Sequence, residues 1–237
     1  MSSDASVTLD LTMDPADLTA ALVDVESVSD HEGPLADAVE TALRALPHLS
    51  VYRDGDTVIA RTDRGRDERV ILAGHLDTVP LPTVEGSLGG VPATRRREAD
   101  GDVIYGRGTT DMKGGVAVQL VLAHELTEPN RDVTYVFYDH EEVSSDASGL
   151  GRVMRNSPEL LEADFAVLLE PTNGTVEGGC NGTMRFRITT HGKAAHSGRS
   201  WIGENAIHKQ ADVLARLSAY EARTVTVEGL DYREGLN

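Results

Sequence analysis

Residues 70–80 decide the fold and read Val-Ile-Leu-Ala-Gly-His-Leu-Asp-Thr-Val-Pro. Four apolar residues open the stretch and predict a buried strand that ends near Gly74. His75 and Asp77 follow two positions apart, so in extended chain both side chains point to the same side. The imidazole could then bind a metal while the carboxylate fixes its tautomer. A histidine at a strand end is more often only hydrogen-bonded, so the hypothesis depends on the other strand ends.

Length, charge and cysteine content bound the class of protein. The 237 residues suffice for one large domain, or for one domain and a smaller one. The net charge of -17 argues against nucleic acid and anionic membranes as partners. Cys180 is the only cysteine, which excludes an internal disulfide framework and fits a reducing compartment. Because no apolar run approaches ~20 residues and the N-terminus lacks a basic signal region, we expect a cytoplasmic protein.

The chain before residue 70 predicts two helices and a hairpin. One helix starts at Pro15 with Asp14 as its N-cap, and a second starts near Pro34. Residues 49–52 and 57–61 read as two strands joined by a tight turn. None of these elements carries evident chemistry.

A glycine-rich region follows the first buried strand. Residues 81–99 lack apolar periodicity and predict a surface loop, and a short strand follows from about residue 102. A helix is expected over about 112–126, which puts Asp111 at or just before its N-terminus, where an N-cap is the simplest interpretation. The glycines do not indicate a nucleotide site, because the Gly-Lys-Ser/Thr ending of a phosphate loop is absent.

Two further apolar strands also end in acidic residues. Residues 133–138 lead into Asp139-His140-Glu141-Glu142, and residues 165–169 lead into Glu170. Adjacent carboxylates repel each other unless a cation or a shared proton compensates, although a solvated acidic turn is the alternative. Strands that alternate with helices predict an α/β fold with a mainly parallel sheet flanked by helices. Sites in such sheets form at the carboxyl ends of the strands.

One imidazole and several carboxylates, with no thiolate, suit a catalytic zinc, cobalt or manganese centre. There are more carboxylates than one metal requires, which favours a two-metal site.

Six motifs resemble one protein family across nearly the whole chain. They are Gly-His-Leu-Asp-Thr-Val-Pro, Gly-Arg-Gly-Thr-Thr-Asp-Met-Lys-Gly-Gly, Glu-Glu, Glu-Pro-Thr, His-Gly-Lys-Ala-Ala-His-Ser and Gly-Glu-Asn-Ala-Ile. Together they resemble the family of zinc-dependent deacylases and peptidases. The resemblance implies an amide hydrolase that removes an acyl group from an N-acyl amino acid. It is greatest to succinyl-diaminopimelate desuccinylases, with acetylornithine deacetylases, other aminoacylases or carboxypeptidases as the alternative, and a metal-binding relative without activity as the non-enzyme alternative.

The resemblance also implies residue roles and a cofactor of two Zn²⁺ ions per complete subunit, for which Co²⁺ could substitute. The implied metal ligands are His75, Asp111, Glu142 and Glu170, with Asp111 bridging the two ions. Asp77 is implied to orient the ligand histidine and Glu141 to be the general base. Retention of Glu141, whose main use is proton transfer, favours the enzyme over the inactive relative.

The chain changes character near residue 178. Met184, Phe186 and Ile188 alternate with arginines and predict a strand, followed by a helix over about 204–220 and a strand at 224–227. The resemblance implies a catalytic domain over 1–177 and the start of a lid and dimerisation domain over 178–237. His196 matches a lid histidine that reaches a neighbouring subunit's site, which implies a homodimer. The family extends further and supplies another histidine ligand, so we expect a truncated chain whose activity alone is doubtful.

Overall fold

The computed structural model describes residues 7–236, and the chain divides into two compact units between Asn173 and Gly174. The predicted boundary after residue 177 lies four residues later. The first unit holds the five-stranded sheet, and the second holds a short helix and a hairpin. Among the described residues, no helix is both long and apolar enough to cross a membrane.

The first unit opens with two helices and five strands, and helices then alternate with strands from residue 114 onward. The helices are Pro15–Val23 (α1), Gly33–Arg44 (α2), Gly114–Glu125 (α3), Gly149–Asn156 (α4) and, in the second unit, Ala211–Ser218 (α5). The strands are Ser50–Asp54 (β1), Thr57–Arg61 (β2), Arg69–His75 (β3), Thr94–Glu98 (β4), Gly101–Tyr105 (β5), Asp132–Tyr138 (β6), Phe165–Leu168 (β7) and, in the second unit, Thr224–Val227 (β8) and Leu230–Arg233 (β9). Short 3-10 helices cover Pro158–Leu161, Ser197–Ile202 and His208–Gln210, and a π-helical turn covers Thr109–Lys113.

The main sheet has the strand order β1-β2-β6-β3-β7. The strands β6, β3 and β7 pair in parallel, whereas β2 is antiparallel to both of its neighbours. Four strands therefore run in one direction and only β2 opposes them. The predicted α/β class with a mainly parallel sheet is confirmed, and the carboxyl ends of β6, β3 and β7 lie at one edge.

The two faces of the sheet are packed by different helices. Tyr135 and Phe137 of β6 belong to the larger core with residues of α1, α2 and α3. Val136 points the other way, since side chains alternate along a strand, and it packs with Val153 of α4. The predicted helix starts are confirmed, because α1 begins at Pro15 and the Asp14 carboxylate accepts the Ala16 N–H at 2.9 Å.

Two predictions about the first unit were wrong in part. Residues 81–99 are not all loop, because β4 pairs with β5 and Arg97 of β4 forms an ion pair of 2.9 Å with its cross-strand partner Asp102. A polar hairpin of this kind lacks the apolar alternation that indicates a strand. The strand β3 is buried only from Ala73 onward. Its first half is partly exposed because few residues pack over the neighbouring strand β7, in which Phe165 is 66% exposed.

The second unit also differs from the sequence prediction. No strand forms over residues 184–188, because a strand needs a hydrogen-bonded neighbour and none pairs with this segment within 7–236. The helix predicted over 204–220 is shorter, since α5 covers Ala211–Ser218 after a 3-10 turn. The predicted strand β8 is confirmed. Its partner β9 was missed because the turn between them, Glu228-Gly229, has positive φ at both residues but lacks the usual Asn or Asp signal.

Candidate metal centre

His75 ends β3 with its ring buried and its orientation fixed. Its main-chain N–H donates to the sulfur of Met112 at 3.1 Å. Its Nδ1 lies 2.9 Å from the main-chain oxygen of Asp77, a contact that fits an N–H at Nδ1. The other nitrogen, Nε2, then faces the acidic groups, 3.0 Å from Asp111 Oδ1 and 3.9 Å from Glu170 Oε1. His75 therefore presents one nitrogen to the site and uses the other to hold its own position.

Asp111 reaches this site from a distorted π-helical turn ahead of α3. Gly108 precedes the turn with φ 80°, and Asp111 has the non-helical angles φ -120° and ψ 98°. The helix predicted over about 112–126 is confirmed as α3, but the simpler N-cap interpretation of Asp111 does not hold, because α3 begins at Gly114 and the Asp111 carboxylate is hydrogen-bonded to His75 instead. The distortion turns this carboxylate away from the helix and toward the histidine.

Two neighbours of Asp111 anchor the turn to the rest of the unit. The buried Nζ of Lys113 donates to the carbonyl oxygens of Leu22 and Val25, at 3.1 and 2.8 Å, and so ties the turn to the end of α1. Burial lowers the pKa of Lys113 to about 8. Gly115 allows α3 to approach the end of β7, because a Cβ there would overlap the main-chain oxygen of Leu169.

Glu141 and Glu142 are held by Asp77 through their main chain. The Glu141 N–H donates to Asp77 Oδ1 at 2.9 Å, and the Glu142 N–H donates to Asp77 Oδ2 at 3.0 Å. One Asp77 oxygen also lies 3.5 Å from His75 Nδ1. This single buried carboxylate therefore links the end of β3 to the turn that follows β6.

The ligand atoms converge in two overlapping groups. One group is His75, Asp111 and Glu170, and the other is His75, Glu141 and Glu142. In each group the nitrogen and oxygen atoms all lie within 4.8 Å of one another. The structure thus brings together every candidate ligand and the candidate base of the first unit.

The charge of the cluster is strongly unbalanced. Burial opposes protonation of His75, but its hydrogen bond to Asp77 and the charge of Glu170 outweigh that effect and raise its pKa to about 9. Burial also raises the pKa values of Glu142 and Glu170, which neighbouring carboxylates reinforce. Between residues 7 and 236, no lysine or arginine forms an ion pair with Asp111, Glu141, Glu142 or Glu170. An imidazole among uncompensated carboxylates is the donor set that suits zinc, cobalt or manganese, so these residues fit a divalent metal.

Asp77 differs from the other acids because donors surround it. Burial alone would raise its pKa, but hydrogen bonds from His75, from the Glu141 and Glu142 amides and from Ser29 lower it to about 2. Asp77 is therefore an anion at neutral pH inside the first unit.

Some contacts of the site have no sequence signal. Asp139 belongs to the acidic turn for which a solvated loop was the alternative prediction. It is nevertheless buried, and it accepts hydrogen bonds from Thr57 and Arg152. Met112 and Ser29 were missed, since a thioether or a lone hydroxyl in a loop indicates nothing by itself. His196 lies in the second unit, where its Nδ1 accepts the Gly198 N–H at 3.0 Å, and its role stays a prediction.

A mainly parallel α/β sheet with an imidazole and carboxylates at the carboxyl ends of its parallel strands is an arrangement that suits a metal-dependent hydrolase. A model of peptidase family M20/M25/M40 matches residues 71–228. The chain belongs to this family.

Named relatives of this chain include two bacterial proteins. The "Putative succinyl-diaminopimelate desuccinylase DapE" of Mycobacterium tuberculosis is 50% identical over 230 residues, which are 97% of this chain and 62% of the relative. The "Succinyl-diaminopimelate desuccinylase" of Corynebacterium glutamicum is 46% identical over 242 residues, covering 100% of this chain and 63% of the relative. The chain thus spans less than two thirds of the length of these relatives.

Solved structures support the fold alone. A tripeptidase from Staphylococcus aureus aligns over 93% of this chain and 63% of its own, with a TM-score of 0.58 and 16% identity. An M20 family metallo-carboxypeptidase from Sulfolobus solfataricus aligns over 66% of this chain and 37% of its own, with a TM-score of 0.52 and 20% identity.

Proposed function

We propose that this chain belongs to a metal-dependent amide hydrolase that converts N-succinyl-LL-2,6-diaminopimelate to succinate and LL-diaminopimelate in lysine biosynthesis. The observation that carries the reaction class is the convergence of His75 with four carboxylates that form no ion pair with a lysine or arginine within residues 7–236. The substrate is proposed from the identity with two relatives named as succinyl-diaminopimelate desuccinylases.

The residues divide into ligands and a base. His75, Asp111, Glu142 and Glu170 would hold the metal, with Asp111 shared between two zinc ions in the complete site, where cobalt could replace zinc. Bound divalent metal supplies a Lewis acid that polarises the amide carbonyl and acidifies water. Glu141 takes a proton from the attacking water and returns it to the leaving amine. The main-chain oxygen of Asp77 holds the Nδ1 side of the His75 ring, so that Nε2 faces the carboxylates.

The second unit is proposed to be the lid and dimerisation domain of a homodimer. His196 would then act as a hydrogen-bond donor to the oxyanion in a neighbouring subunit's site. Its side chain is exposed within the unit, which leaves it accessible for that role. A cytoplasmic location is proposed with this function, because the only cysteine, Cys180, is free and exposed, as in proteins of reducing compartments.

The alternative is hydrolysis of a different N-acyl amino acid or of a peptide. Fungal relatives named "Probable carboxypeptidase" are 30% identical to this chain, and acetylornithine deacetylase remains the alternative from the motifs. The deciding experiment assays the intact zinc-loaded protein with N-succinyl-diaminopimelate, N-acetylornithine and an N-acyl dipeptide. We expect kcat/KM to be highest for the succinyl substrate. A higher value for either of the others would overturn the proposed substrate, and no activity with any of them would overturn the reaction class.

A further inference from the structure

The segment between α1 and α2 lies beside the chain that follows His75. Val28 and Thr78 form a parallel β-bridge. The Ser29 N–H donates to the Thr78 carbonyl at 3.1 Å, and the Thr78 N–H donates to the Ser27 carbonyl at 2.9 Å. Main-chain hydrogen bonds therefore fix residues 27–29 against residues 76–78.

The two serine hydroxyls of this segment bind different targets. Ser27 Oγ donates to the main-chain oxygen of Leu76 at 2.7 Å. Ser29 Oγ donates to Asp77 Oδ2 at 2.8 Å. The Ser27 hydroxyl thus contacts only the bridge. The Ser29 hydroxyl binds the carboxylate that contacts the metal-centre residues and also lies 3.5 Å from the Thr78 main-chain oxygen.

Ser29 is the donor to Asp77 that comes from outside the metal centre. The other donors are His75 and the amides of Glu141 and Glu142. The terminal torsion of an aspartate is broad, so the plane of its carboxylate is set by its hydrogen bonds rather than by an intrinsic rotamer. Because the bridge holds Ser29 in place, its hydroxyl restrains the plane of the Asp77 carboxylate independently of the turn that contains Glu141 and Glu142.

We infer that Ser29 is a positioning residue of the metal centre, acting through Asp77 on both His75 and the Glu141–Glu142 turn. The inference rests on the proposed metal-dependent function. Without the Ser29 hydroxyl, Asp77 Oδ2 retains the Glu142 amide as its remaining close donor. The carboxylate can then rotate, and the turn loses the fixed acceptor for its two amides.

The first test needs no metal. Native-state amide hydrogen exchange is measured at Glu141 and Glu142 in the unchanged protein, in Ser29→Ala and in the matched control Ser27→Ala. We expect exchange at both amides to rise about tenfold in Ser29→Ala, the factor that corresponds to losing a hydrogen bond to a charged group. Ser27→Ala should leave the two amides unchanged relative to the core of β6, although it also weakens the bridge. Equal effects of the two changes, or none for Ser29→Ala, would overturn the inference.

The second test measures the consequence for the metal. The same three proteins are titrated with Co²⁺, and the Kd and the visible absorption spectrum are recorded. We expect Ser29→Ala to raise the Kd about tenfold and to alter the spectrum, as substitutions behind a ligand do, while Ser27→Ala keeps both. If the unchanged protein binds Co²⁺ and both variants match it, the inference is wrong and the metal centre stands. If the unchanged protein binds none, the proposed metal centre is wrong, and the exchange experiment alone decides whether Ser29 holds the turn.

Discussion

Gly115 packs directly against the main-chain oxygen of Leu169, so the start of α3 contacts the end of β7 with no side chain between them. Asp111 lies four residues before Gly115, and Glu170 directly follows Leu169. The absence of a Cβ at one glycine therefore permits two candidate ligands from different elements to meet.

We expect Gly115→Ala to lower metal affinity by moving Asp111 away from Glu170. Overpacking of this kind also costs about 1–3 kcal/mol of stability. The matched control is Gly151→Ala in α4, where a Cβ meets no atom closer than 3.4 Å. Metal titration and urea unfolding of both variants provide the check. Wild-type metal affinity in Gly115→Ala would contradict the close approach as the cause of the ligand geometry.

Glu141 and Glu142 are adjacent, but substitution of Glu141 should lower kcat whereas substitution of Glu142 should lower metal content. Glu141→Gln keeps size and hydrogen bonding but removes the base, so we expect kcat to fall by about 10²-fold or more with metal content unchanged. Glu142→Gln should instead lower metal content. Activity assays paired with elemental analysis separate the two roles. Equal effects of the two substitutions would show that base and ligand have been assigned wrongly.

Metal binding near neutral pH should release a proton from His75. With its pKa raised to about 9, His75 is protonated at pH 7 in the metal-free protein and must become neutral to bind. Affinity should therefore rise by about tenfold per pH unit until pH approaches the pKa of His75. Calorimetry in two buffers of different ionisation enthalpy measures the proton count. A binding enthalpy that is the same in both buffers would refute proton release.

Asp77 should contribute to the decrease in the free energy of unfolding at acidic pH. Its pKa is lowered from 3.8 to about 2 in the folded protein, so its contribution is present above pH 3.8 and is lost as pH falls through 2. The contribution is about 2 kcal/mol in free energy of unfolding. Asp77→Asn should remove it, so the unfolding free energy of the variant should change less between pH 4 and pH 2. Urea titrations at several pH values test this, and parallel curves for both proteins would count against it.

His196 should act in the transition state rather than in metal binding. His196→Ala is expected to cost roughly 3 kcal/mol in activation free energy without changing metal occupancy. Mixing inactive His196→Ala and Glu141→Gln proteins under subunit exchange should restore activity, because one site of the mixed dimer has both groups. If exchange is demonstrated and activity stays absent, His196 does not act across a dimer.

Sequence patterns predicted the parts of the site that follow apolar strands. His75, Glu141 and Glu170 each come after a run whose hydrophobicity marks a strand, and the carboxyl ends of parallel strands meet at one edge. The same reasoning missed contacts that depend on tertiary structure. Ser29 meets Asp77 only because residues 27–29 pair with residues 76–78. The strand predicted over 184–188 was wrong because alternation of side chains does not supply a pairing partner.

The strand order also determines when the chain can fold during synthesis. The strands β2 and β3 are close in sequence, yet β6 lies between them and pairs with both. The middle of the sheet therefore cannot close until the ribosome has released residue 138, and such non-local pairing is slow because a long loop must first be ordered. The ligand set around His75 is complete only after Glu170 has also been synthesised. A nascent chain that ends before residue 170 therefore holds an incomplete ligand set, so we expect the metal to bind late, after the sheet has closed.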